Sequence, residues 1–69
     1  MVEIFKTNVQ HQKQAVLLLT ALCREFPLFK INFDLDDCDR ILRVEGENIS
    51  YEEIIELIAL NGCQCNVLE

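Results

Sequence analysis

The stretch that most constrains the fold is residues 30–46, KINFDLDDCDRILRVEG. Apolar and polar residues alternate on both sides of an acidic segment, which is the pattern of strands with one buried face. The apolar positions are Ile31, Phe33 and Leu35 in the first half, and Leu42 and Val44 in the second. Aspartates favour a turn between them, because their side chains hydrogen-bond to nearby backbone groups. The sequence therefore predicts a hairpin with strands near residues 29–36 and 40–46, whose apolar face other elements must cover.

Those covering elements can be assigned from the flanking segments. Residues 2–8 are rich in β-branched and aromatic side chains and predict a first strand. A helix near 10–26 ends at Pro27, and a second near 50–61 begins at the N-cap residue Ser50 and stops before Gly62. Residues 63–68 alternate again and predict a last strand.

The resulting order, β-α-β-β-α-β, is that of a ferredoxin-like α+β sandwich. We expect a single domain over residues 1–69, with both helices on one face of an antiparallel sheet in strand order 4-1-3-2. In this topology three loops share one end of the sheet, namely residues 8–11, 36–39 and 62–65. Side chains far apart in sequence should become neighbours there.

The first helix has an unusually broad apolar surface. Its i, i+3, i+7, i+10 spacing predicts a core-facing stripe of Val16, Leu19, Cys23 and Phe26. Further apolar residues widen the stripe, and two interpretations follow. Either the helix is deeply buried, or Leu17, Leu18 and Ala21 form a surface for a protein partner or a weak homodimer.

Charge and composition exclude several function classes. The chain has six Lys+Arg against twelve Asp+Glu, for a net charge of −6. Nucleic acids and anionic membranes need clustered cations, so neither is expected as a partner, whereas a basic protein or a metal cation is favoured. The apolar run 15–19 is too short for a membrane span and no signal peptide is visible, so we expect a cytoplasmic location and reduced cysteines. No nucleophile–base pair or phosphate loop is present, and we expect no enzymatic activity.

The framework residues resemble a known family. Phe5-Lys6, Phe26-Pro27, Ile31 to Leu35, Arg43 to Gly46 and Ile58 to Gly62 are similar to the heavy-metal-associated domains, the copper-chaperone-like modules that carry soft metals. The resemblance implies the same ferredoxin-like fold and a non-enzymatic binding function. It departs at the metal loop, where the family has GMxCxxC: Gln12 and Ala15 stand where the two cysteines would be, and Val9-Gln10 stands where Gly-Met would be. No family ligand can therefore be transferred to this chain.

A soft-metal site could still have moved to other residues of the same end. Cys63 takes the place of an aromatic residue of the family beside the metal loop, and Cys65 projects to the same side of a strand as Cys63. Cys38 at the hairpin tip and His11 at the helix start could approach them, and such a set suits Cu(I) or Zn(II). The competing interpretation makes Cys65 and Cys23 small core residues. The function predicted first is a binding module with this relocated site. The alternative is a metal-free interaction or regulatory module that uses helix one or the open face of the sheet.

Overall fold

A computed structural model describes residues 1–68 and has the predicted element order. The elements are β1 (Val2–Thr7), α1 (Gln12–Glu25), β2 (Lys30–Asp34), β3 (Ile41–Glu45), α2 (Tyr51–Leu60) and β4 (Cys65–Val67). Each strand is shorter than its predicted range by one to three residues, because the strand ends pass into turns. Within the described residues, no helix is long and apolar enough to cross a membrane.

The four strands form one antiparallel sheet in the order β2-β3-β1-β4. This is the predicted order read from the opposite edge. In the centre of the sheet Phe5 lies opposite Leu42 on one side and Val67 on the other. The hairpin register places Ile31 opposite Val44 and Phe33 opposite Leu42, so its apolar residues share one face as predicted.

The core lies between that face and the two helices. In β1 the inward residues are Phe5 and Thr7, both of which are buried. Val2, Ile4 and Lys6 alternate with them and therefore belong to the open face of the sheet. The side chains buried completely are Phe5, Val9, Leu22, Leu42, Val44, Ile54 and Ile58.

The buried stripe of α1 differs from the predicted one. Ala15, Leu18 and Leu22 face the core, whereas Val16 is 51% exposed and Cys23 is exposed. The prediction that Cys23 is a core residue is therefore wrong, and Leu18 cannot belong to an exposed surface. The physical reason is that residues 15–19 are all apolar, so two helical registers satisfy the same i, i+3, i+7 spacing. Packing against the sheet, which the helix sequence does not encode, selects between them.

Caps at both helices explain where they begin and end. The α1 N-cap is His11, and the Gln14 side chain accepts hydrogen bonds from the backbone N–H groups of Gln10 and His11. At α2 the prediction is confirmed, since Ser50 Oγ accepts a hydrogen bond from the backbone N–H of Glu53 at 3.3 Å and Gly62 adopts the left-handed φ of 84°.

Candidate functional site

Three loops meet at one end of the sandwich, as the topology predicted. The backbone N–H of Thr7 donates to the Asp39 carbonyl at 3.1 Å, which ties the end of β1 to the hairpin turn. The Asn8 backbone N–H donates to the Gln64 carbonyl at 3.1 Å, and the Asn8 side chain accepts from the Gln64 N–H at 2.8 Å. We call this end the rim. These three hydrogen bonds hold the loops of the rim together.

Cys63 and Cys65 lie at the rim but point into the protein. Their side chains are 7% and 5% exposed, and both belong to the core cluster. Burial raises the pKa of the Cys65 thiol to about 11, so the thiolate that a metal needs is disfavoured. Cys63 reaches a small cleft of about 130 Å³ between the helices, which we call the Leu17 cleft. Its lining residues are Gln14, Leu17, Leu18, Asn61, Gly62 and Cys63.

Cys38 and His11 are exposed on other parts of the rim. Among residues 1–68, the only group of three or more metal-ligand residues with all ligand atoms within 4.8 Å of one another is Asp37, Cys38 and Asp39. It includes neither Cys63 nor Cys65. The Asp37 carboxylate accepts a hydrogen bond from the Asp39 N–H at 2.9 Å, so it also stabilises the turn. Cys63, Cys65, Cys38 and His11 remain a predicted metal set.

The first loop, which holds the metal in the family that the sequence resembles, offers no thiol here. Ala15 is 3% exposed, and Gln12 stands beside it at the start of α1. Both line a cleft of about 320 Å³ between α1 and the edge strand β2, together with the carboxylates Asp34 and Asp36. Soft metals prefer sulfur ligands, so this cleft is chemically unsuited to them.

A third cleft, which sequence analysis did not identify, lies between α1 and α2 at the end of α1 away from the rim. Its volume is about 320 Å³, and we call it the acidic cleft. Its lining residues are Glu25, Phe26, Glu53, Glu56, Leu57 and Leu60. The signal that could have revealed it is the alternation of Glu53 and Glu56 with Leu57 and Leu60 on one side of α2, at helical spacings of three and four.

Comparison with known proteins agrees with the fold. No protein-family model matches the sequence, and no curated protein matches it significantly. Among solved structures, the chain is similar to the yeast copper transporter domain Ccc2A, whose solution structure is known in the apo and Cu(I)-loaded states. The TM-score is 0.80 over 99% of this chain and 94% of that chain, with 17% sequence identity. An identity this low supports the ferredoxin-like fold and no more.

Proposed function

We propose that this protein is a small non-catalytic binding module that recognises another protein through its helical face. The observation that carries this proposal is Leu17, a large apolar side chain that is 64% exposed in the middle of α1 and borders a cleft between the helices. On α2, Leu60 is 77% exposed. Val16, which is adjacent to Leu17 in sequence, is also 51% exposed. Exposed apolar side chains that occur together mark contact surfaces more often than single scattered ones do.

The state of the cysteines favours protein contact over metal transport as the main function. At the loop positions where heavy-metal-associated domains have their two cysteines, this chain has Gln12 and Ala15. Cys65 is buried with a raised pKa. A metal ion would have to displace core packing in order to reach the sulfur of Cys65, and displaced core packing costs stability.

The charge of the chain indicates the character of the partner. Three of the six cationic side chains, Lys6, Lys30 and Arg43, occupy positions that face the open side of the sheet. By contrast, α2 carries three glutamates and no lysine or arginine. The other helix, α1, carries Lys13, Arg24 and Glu25, so the two helices together have four negative and two positive side chains. This excess of negative charge repels acidic proteins and attracts basic ones.

Affinity capture with matched variants tests this proposal. The wild type, Leu17→Glu and Val2→Glu would each be used as bait in lysate of the source organism, after circular dichroism has shown that all three fold. Val2 is the control because it is 50% exposed on the opposite face. We expect a protein that the wild type and Val2→Glu retain and Leu17→Glu loses, and we expect the purified pair to reproduce that difference. Equal retention by wild type and Leu17→Glu would contradict the proposal, and loss in Val2→Glu alone would assign binding to the sheet.

A second candidate function is binding of a soft metal at Cys63, as in the relocated site that the sequence suggested. The favouring observation is that Cys63 lines the Leu17 cleft, whereas Cys65 does not. The fold neighbour is described as a copper transporter domain with a Cu(I)-loaded state. Metal analysis of protein purified under reducing conditions distinguishes this candidate from the first: stoichiometric copper or zinc would favour it, and metal-free protein would count against it.

A further inference from the structure

We propose that the acidic cleft is a docking site for a basic, amphipathic segment of a partner protein, one that inserts an apolar side chain between flanking lysines or arginines. This inference rests on the proposed function and specifies the chemistry of the partner. The site shares no lining residue with the Leu17 cleft: it is bounded by the C-terminal end of α1 and extends along α2 from Glu53 to Leu60.

The floor of the cleft is apolar and only partly covered. Phe26 and Leu57 are half-buried, and Leu60 is 77% exposed at one side. Phe26 is held in place by stacking on Phe29, with ring centroids 5.4 Å apart and planes 10° from parallel. A floor that is fixed before binding reduces the ordering cost that a partner would otherwise face. The volume of about 320 Å³ is at the small end of ligand-binding clefts and suits one or two bulky side chains.

The walls of the cleft are acidic and lack compensating cations. Glu25 approaches from α1, and Glu53 and Glu56 approach from α2. Within residues 1–68 the only ion pair is Lys6–Asp39, which is at the rim. The nearest cation in sequence, Arg24, does not line the cleft. The three carboxylates are therefore free to pair with cations from outside the chain.

An apolar floor between three carboxylates without ion-pair partners favours a segment that has both apolar and positively charged side chains. A purely apolar segment would leave the carboxylates partly desolvated without partners, which is unfavourable. A purely basic segment would leave Phe26, Leu57 and Leu60 in contact with water and would gain only the small energy of surface ion pairs. A segment with both features satisfies the walls and the floor, and an amphipathic helix presents such residues at i, i+3 and i+4.

Two synthetic peptides test the proposal. Both carry leucines at the same helical spacing, one with lysines between them and the other with glutamates. Titration into isotope-labelled full-length protein should shift the NMR signals of the cleft residues with the lysine peptide and leave them unchanged with the glutamate peptide. Raising the salt concentration should weaken the binding, since the charges are exposed.

Matched variants locate the site. Glu53→Gln combined with Glu56→Gln should lower the affinity for the lysine peptide by about two- to thirtyfold, which is the range expected from the loss of two exposed ion pairs. The control is Asp36→Asn combined with Glu45→Gln, which changes net charge equally outside the cleft and should have less effect. Leu60→Ser should also weaken binding, whereas Val2→Ser should not.

Three outcomes would overturn the inference. The lysine peptide could leave the NMR signals of the cleft residues unchanged, it could shift only signals of residues elsewhere, or the two double charge variants could lose equal affinity for it. None of them decides the proposed function, because capture that depends on Leu17 can succeed without the acidic cleft. Conversely, the wild type and Leu17→Glu could capture partners equally while the lysine peptide still binds the acidic cleft. That combination would reject the Leu17 surface and retain the acidic cleft as the docking site.

Discussion

Replacing Gly46 with alanine should destabilise the fold by forcing a ring out of its place. An added methyl group at Gly46 would lie 2.9 Å from Phe29 Cε1 and closer still to Cδ1, which is nearer than real side-chain contacts allow. The Phe29 ring cannot yield freely, because it stacks on Phe26 and is half-buried. Gly46 does not need the left-handed backbone conformation, so the cost is steric.

The magnitude follows from two opposing terms. Overpacking of this kind costs about 1–3 kcal/mol. Alanine also restricts the unfolded chain, which returns about 0.4–1 kcal/mol. The difference between the midpoints of the two terms is a net loss of about 1.3 kcal/mol in the free energy of unfolding. For a domain of this size we therefore predict a melting temperature lower by about 5–10 °C.

Urea denaturation of a double-mutant cycle is the assay. In the Phe29→Ala background the clash is gone, so Gly46→Ala should become neutral or slightly stabilising. The control is Gly62→Ala, whose cost comes from the φ of 84° with no atom within 4 Å, and which Phe29→Ala should not rescue. Gly46→Ala as stable as the wild type, or a cost that persists without Phe29, would refute the reasoning.

Three further predictions test the core, the thiols and the caps. Leu18→Ala should cost about 2–5 kcal/mol because Leu18 is buried, whereas the exposed Val16→Ala should stay within about 0.5 kcal/mol; equal costs in urea denaturation would mean that the α1 register is wrong. Because the pKa of Cys65 is raised to about 11, the folded protein retains a proton that the unfolded chain loses near its ordinary value of 9.0. Stability should therefore be complete below pH 9 and fall as the pH rises through 11, and Cys65→Ala should remove this fall; the same fall in the variant would contradict the assignment. Ser50→Ala should cost about 1 kcal/mol in thermal unfolding through loss of the α2 N-cap, and an unchanged melting temperature would count against that cap.

The sequence predicts the sheet better than it predicts the helical face. Alternation in residues 30–35 and 42–45 favours one choice of buried face, because a shift by one residue would expose Phe33 and Leu42 together. The stop at Pro27 and the cap at Ser50 depend on local backbone chemistry that needs no tertiary information. For these reasons the element order and the strand order follow from the amino-acid sequence alone.

The candidate sites depend on tertiary packing and are therefore harder to predict from the sequence. In the uniformly apolar run of α1, nothing local distinguishes the buried Leu18 from the exposed Leu17. Cys63 and Cys65 have the spacing of a ligand pair, but spacing does not report that both side chains lie in the core. The acidic cleft combines Glu25 with Glu53, and only the packing of two helices distant in sequence brings these residues together.

Anaerobic Cu(I) titration against a competing chelator tests most directly the central claim that this chain does not function as a soft-metal carrier. The reduced wild type would be compared with Cys63→Ser, and with Cys23→Ser as the exposed-thiol control. The account predicts that the wild type takes up Cu(I) only at a weak background that Cys63→Ser leaves unchanged. About one tightly bound equivalent that is lost in Cys63→Ser and retained in Cys23→Ser would contradict it and would establish the relocated metal site.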